Sequence, residues 1–133
     1  MEEGFRIIEE ENMTKELAKI TSAKLEIQER GILNFWIFVD YENGSSQGVG
    51  GLALDTFDKE KGCRVGTAYG CEMIRRILVT LDVNDFSEMK GKHIWVYGEG
   101  SGLSFTPRGI QPLRINADKP RLIFKDVALE FEL

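Results

Sequence analysis

The stretch TSAKLEIQERGILNFWIFVD, residues 21–40, decides the fold. In its first half Thr21, Ala23, Leu25 and Ile27 alternate with Ser22, Lys24, Glu26 and Gln28, the two-residue period of a strand buried on one face. In its second half Leu33, Phe35, Ile37 and Val39 alternate with Asn34, Trp36, Phe38 and Asp40, which predicts a second strand. Glu29-Arg30-Gly31 between them suits a short hairpin with glycine in the left-handed conformation. Asn43-Gly44 supplies the next turn, and QGVGGLAL, residues 47–54, completes an antiparallel meander of three strands. Gly48, Gly50 and Gly51 in that third strand mark a bulge, or a close approach by another backbone or a ligand. The structural alternative is a sharply twisted or bulged strand on which a helix packs tightly.

Further along, DTFDKEKG at 55–62 reads as a polar excursion, and GTAYGCEMIRRILVTL at 66–81 as the one strong helix. Thr67 suits its N-cap, while Cys71, Ile74, Leu78 and Leu81 recur at helical spacing with Ile77 beside them. Residues 82–91 leave the helix through a loop with one turn near Phe86 to Met89. A strand at 92–98 then sets Ile94 and Val96 against His93, Trp95 and Tyr97. The Gly, Ser and Pro of 98–112 read as a linker, and short strands are expected at 113–116, 121–125 and 127–133, the last favoured over a helix. The expected fold is α+β, a curved antiparallel sheet or partly open small β-barrel with one packed helix. Residues 1–18 form an acidic N-terminal arm, and 19–133 a single α+β domain.

At 133 residues, 42% hydrophobic and 29% charged, the chain suits one compact domain. Its formal charge of −5 is uneven, because residues 1–16 hold six acids and two bases and the remainder is nearly neutral. Long nucleic acid is therefore a disfavoured partner, since phosphate affinity comes from clustered Lys and Arg. No run approaches the roughly 20 apolar residues of a membrane helix, and the acidic N-terminus does not match a signal peptide. Cys63 and Cys71 read as reduced thiols of a cytosol. With one His, His93, zinc has too few ligands, so neither a metal nor a cofactor is expected.

Chemistry concentrates where glycine does: 12 of the 14 glycines lie between Gly44 and Gly109, more than the hairpin turns need. Gly66, Thr67, Tyr69 and Gly70 open the helix, whose free N–H groups and dipole can hold a phosphate or carboxylate. Alternatively, Gly66 makes a turn and Gly70 packs closely on Gly50 or Gly51. The loop Gly98-Glu99-Gly100-Ser101-Gly102 matches neither a phosphate loop nor a dinucleotide fingerprint, because Leu103 stands where glycine is required. Ser101, Ser104, Thr106 and Arg108 could make polar contacts from a lid or lie on a solvated connection. His93 has no Asp or Ser spaced to form a triad. Asp55 with Asp58 and Asp82 with Asp85 look like turn formers. If their strands are neighbours, Trp36, Phe38, Trp95 and Tyr97 share one face, either covered by the helix or offering a platform for a purine or single-stranded base.

From Gly31-Ile32-Leu33 through the glycine strand to GTAYGCEMIRRIL and MKGKHIWV, the chain resembles small uncharacterised accessory proteins of tailed phages and prophages. The likeness covers residues 20–96 and is most specific at GTAYG. It implies expression in the cytoplasm of an infected or lysogenic bacterium and carries over no catalytic residues. The reading that follows is a non-enzymatic protein that inhibits a host antiviral defence by binding a small nucleotide signal or a defence protein of the CRISPR type. For the signal, Gly66, Thr67, Tyr69 and Gly70 are expected to hold phosphate, with Arg75, Arg76 or Arg108 for charge and Trp36 or Trp95 for stacking. A single-stranded nucleic-acid module and a structural phage component remain as alternatives, as does a homo-oligomer. A small hydrolase or transferase lacks a recognisable constellation of residues.

Overall fold

In the computed structural model, which describes residues 13–113 and 121–132, alternation becomes sheet as the residue pattern requires. Strands β1 (Thr14–Ile27), β2 (Leu33–Tyr41) and β3 (Ser46–Ala53) form the expected antiparallel meander. Arg30 and Gly31 both take positive φ in the first connection, and Gly44 does so in the second. Strand β1 starts at Thr14, so residues 14–18 of the expected arm belong to the sheet, while residues 1–12 lie outside the described residues.

The polar excursion is itself a small hairpin, β4 (Asp55–Asp58) with β5 (Cys63–Gly66). Arg64 clamps the Asp55 carboxylate with two hydrogen bonds, Nε to Oδ2 at 3.0 Å and Nη2 to Oδ1 at 2.7 Å, and donates a third to the Asp55 carbonyl at 3.2 Å. That contact, assisted by the Leu33 amide, holds the Asp55 carboxyl below its usual range.

Helix α1 spans Ala68–Leu81, and Thr67 is its N-cap, as expected. Its buried face is Tyr69, Met73, Ile77 and Leu81, at intervals of four residues, with Ile74 and Leu78 packed beside them. Cys71 is exposed, which corrects its place on the expected core stripe. The stripe is rotated because Tyr69 and Met73 offer larger apolar surfaces, and full burial of such a side chain is worth about 1.5–3 kcal/mol.

After a 3₁₀ turn at Phe86–Met89 come β6 (His93–Glu99), β7 (Thr106–Pro112) and β8 (Leu122–Ile123). The second half of the expected linker is therefore strand β7. Its alternation is hidden because Gly109 and two prolines replace apolar residues, yet Gly109 and Ile110 are buried and paired with β6 and β8. Part of the strand expected at 113–116 lies outside the described residues. The last segment is a second helix, α2 (Phe124–Glu130), where a strand was expected. Phe124, Val127, Ala128 and Phe131 keep helical spacing and meet the core through it.

The result is an α+β fold: a six-stranded antiparallel sheet ordered β3-β2-β1-β6-β7-β8, a separate β4-β5 ribbon, and two helices. The sheet curls but does not close into a barrel. Strands β3 and β7, far apart in that order, meet where the Gln47 side-chain amide donates to the Phe105 carbonyl at 2.8 Å. Tyr41 supports the seam, donating its hydroxyl to Gln47 Oε1 at 2.6 Å and setting its ring edge-on to Phe105. Burial, reinforced by the Glu16 charge, pushes the Tyr41 hydroxyl up to about 12, so it stays a donor. Among the described residues no helix is long and apolar enough to cross a membrane.

Candidate functional site

Beyond the Gln47 to Phe105 seam the two strands part and leave a cleft of about 710 Å³. One lip is Trp36 of β2 with Gly48, Gly50 and Leu52 of β3; the other is Glu99, Thr106, Pro107 and Arg108. Tyr69 of α1 and Phe124 and Ala128 of α2 line it from the helices, with Lys125 alongside. Both packed aromatics are anchored: the Tyr69 ring meets Phe131 edge-on, and Phe124 meets Phe35. Burial raises the Tyr69 hydroxyl above its ordinary value.

The glycines shape this lip. Between Asn34 and Trp36 the β2-β3 register shifts, and the bulged Gly50 and Gly51 both have positive φ. A Cβ at Gly51 would overlap the Trp36 indole, and one at Gly48 would come within 2.9 Å of it. The bulge expected from sequence is present, and its glycines make room for the Trp36 and Phe35 rings of the neighbouring strand.

Three of the nine expected ligand residues, Trp36, Tyr69 and Arg108, converge on this cleft. The others do other work. Thr67 accepts from the Gly70 amide at 2.9 Å and donates to the Leu54 carbonyl at 2.7 Å. Gly70 is buried, and the partner it packs on is the Leu54 carbonyl rather than Gly50 or Gly51. The opening for a phosphate at Gly70 is therefore filled by Leu54, while Gly66 ends β5 with open space around it. Arg75 and Arg76 both grip Glu72 on their own helix, and Arg76 also holds Glu130 of α2, so its guanidinium ties helix to helix. Trp95 lies outside the cleft, under the Lys15 ammonium, 4.5 Å from the ring centre.

Electrostatically the cleft is mixed. Arg108 Nη2 is 3.7 Å from Glu99 Oε2, with both side chains 48% exposed, a separation that leaves Arg108 able to turn toward an anion. Lys125 adds a second cation. Neither Cys nor His lines the cleft, and Glu99 is its one carboxylate among the described residues. Among those residues no group of three or more His, Cys, Asp or Glu gathers to hold a metal. Ser101 and Ser104, named as lid contacts, instead bond to each other across a capped 3₁₀ turn. Sequence reasoning missed Phe124, Lys125 and Ala128 because their segment read as a strand. Their spacing of Phe124 to Ala128, one helical turn, was the available signal.

No protein-family model matches the chain, and no curated protein or solved structure does either.

Proposed function

We propose that this is a non-enzymatic binding protein whose cleft takes a small anionic ligand with a planar ring, of the nucleotide class. The observation that carries the reading is the convergence of Trp36, Tyr69 and Arg108 from three separate elements on one cleft. Aromatic walls suit the two faces of a base, and a loosely held guanidinium suits a phosphate. The resemblance to phage accessory proteins gives this chemistry a use: withdrawing a nucleotide-derived immune signal from a host defence.

The test is calorimetry with a panel of cyclic dinucleotides and cyclic ADP-ribose variants on the full chain. Binding is expected for at least one, and Arg108→Ala should weaken it about tenfold or more, the worth of a hydrogen bond to a charged group. Absence of heat and of thermal shift across the panel, or an Arg108→Ala affinity equal to that of the parent, removes the reading.

A further inference from the structure

The sheet face opposite the helices carries a row of rings that reaches the cleft only at Trp36. Residues paired across an antiparallel ladder point to the same side, so the register Lys24 to Trp36, Ser22 to Phe38, Leu17 to Trp95 and Lys15 to Tyr97 sets all four aromatics on one face. They stand in two rows, on β2 and β6, with β1 running between them. Trp36 and Phe38 are stacked, with centroids 5.8 Å apart and planes 17° from parallel. Three cations lie over rings here: Lys15 over Trp95, Lys24 over Phe38 at 5.5 Å, and Arg121 over Tyr97 at 5.1 Å.

Charge on this face departs from that of the whole chain. Lys15, Lys19, Lys24 and Arg121 lie on it against Glu26, Asp40 and, at its end, Glu42, and Lys19 is opposite both Asp40 and His93 midway between the ring pairs. Asp40 already accepts from Ser46, and Glu26 pairs with Lys24 at 3.3 Å. We propose that this face is a stacking track for a short single-stranded oligonucleotide, with bases on the Phe38 and Trp95 rings and phosphates on Lys15, Lys19 and Lys24.

The chemistry favours that ligand. A lysine lying over a ring can exchange places with a base, its flexible stem carrying the ammonium to a neighbouring phosphate. Stacking of this kind accepts any base, because every base has a π-face, and it needs bases that are not already paired. The two ring pairs are separated along β1 by the span from Leu17 to Ser22, roughly 15 Å at the rise of a strand. An oligonucleotide can cross that span, whereas a mononucleotide in the cleft cannot. The face shares only Trp36 with the cleft: Phe38, Trp95 and the three lysines that would hold the strand lie outside it, and Tyr69, Arg108 and Lys125 take no part.

The test uses the two tryptophans, Trp36 and Trp95, both on this face, as reporters in the full chain. A labelled oligothymidylate of about 10 nucleotides, the same strand annealed to its complement, and inorganic polyphosphate are titrated at low salt. The single strand is expected to quench the tryptophan emission and raise the label's anisotropy, while duplex and polyphosphate bind far more weakly. Phe38→Ala and Trp95→Ala should each weaken binding about tenfold. Because those rings are half-buried, the exposed pair Lys15→Gln with Lys24→Gln is a second test that spares the packing. It should lower the slope of log K against log salt by about 1.4, while Lys61→Gln in the β4-β5 turn changes nothing. No quenching by the single strand, equal binding of polyphosphate, or an unaltered salt slope in the lysine pair overturns the proposal.

Discussion

The α-carbon of Gly70 rests against the carbonyl oxygen of Leu54, so closely that a Cβ at position 70 would overlap that oxygen. In an exposed helix Gly→Ala stabilises by about 0.5–1 kcal/mol. Here the sign reverses, because the obstacle is backbone and is fixed by Thr67, which donates to the same oxygen. Gly70→Ala should lose about 1–3 kcal/mol in urea unfolding, whereas Gly66→Ala, with open space around it, should stay within about 0.5 kcal/mol of the parent. A stabilised Gly70→Ala protein would refute the contact.

Acid should loosen the ion pairs along α1. Hydrogen bonds from Arg75 first and Arg76 second push the Glu72 carboxyl down from 4.5 to about 2. A folded value below the unfolded one means that the contribution of Glu72 is complete above the unfolded pKa and is lost as pH falls through the folded one. The melting temperatures of the parent and Glu72→Gln should therefore differ most above pH 4.5 and converge toward pH 2. A gap of constant size across that window contradicts the arrangement.

Gly51 holds the place of Trp36. At φ of +75° an L side chain is strained, and a Cβ there would overlap the indole. Gly51→Ala should cost about 1–3 kcal/mol and shift the tryptophan emission toward that of exposed indole. Unchanged emission with unchanged stability would mean that the ring does not lie on the glycine strand.

Both cysteines should be open to reagent. Cys63 and Cys71 are exposed, so both thiols of the native protein are expected to react with an aromatic disulfide before any unfolding. Cys71→Ser should stay within about 0.5 kcal/mol of the parent. Protection of Cys71 until denaturation would show that α1 turns a different face to the sheet.

Local pattern and long-range pairing were unequally legible. Alternation in β2 and the Thr67 cap of α1 are local facts, and both elements stand where the residues place them. Strand β7 was not legible, because Gly109 sits where a side chain would clash with the Leu122 carbonyl, and the glycine erased the apolar signal. The C-terminal segment satisfied two periods at once: Val127, Leu129 and Phe131 alternate, but Phe124, Val127, Ala128 and Phe131 also fall on one helical face. The rings of β2 and β6 were expected on a common face on the condition that their strands are neighbours; β1 runs between them instead, and it is the register through β1 that sets them on one side. The same limit applied to the cleft. Trp36, Tyr69 and Arg108 were named one by one for their chemistry, and only the tertiary fold shows which of nine residues meet.

Strand β1 comes first among the described strands yet lies inside the sheet, with Leu25 paired to nearby Phe35 on one edge and Thr14 to distant Gly98 on the other. During synthesis the first edge is satisfied at once, but the second must wait until β6 has been made. Throughout that interval the growing chain presents an open row of amides and carbonyls, the template on which strands of other chains aggregate. Lys15, Glu16 and Lys19 stand along that waiting edge, and such charges discourage foreign pairing until His93–Glu99 arrives to claim it.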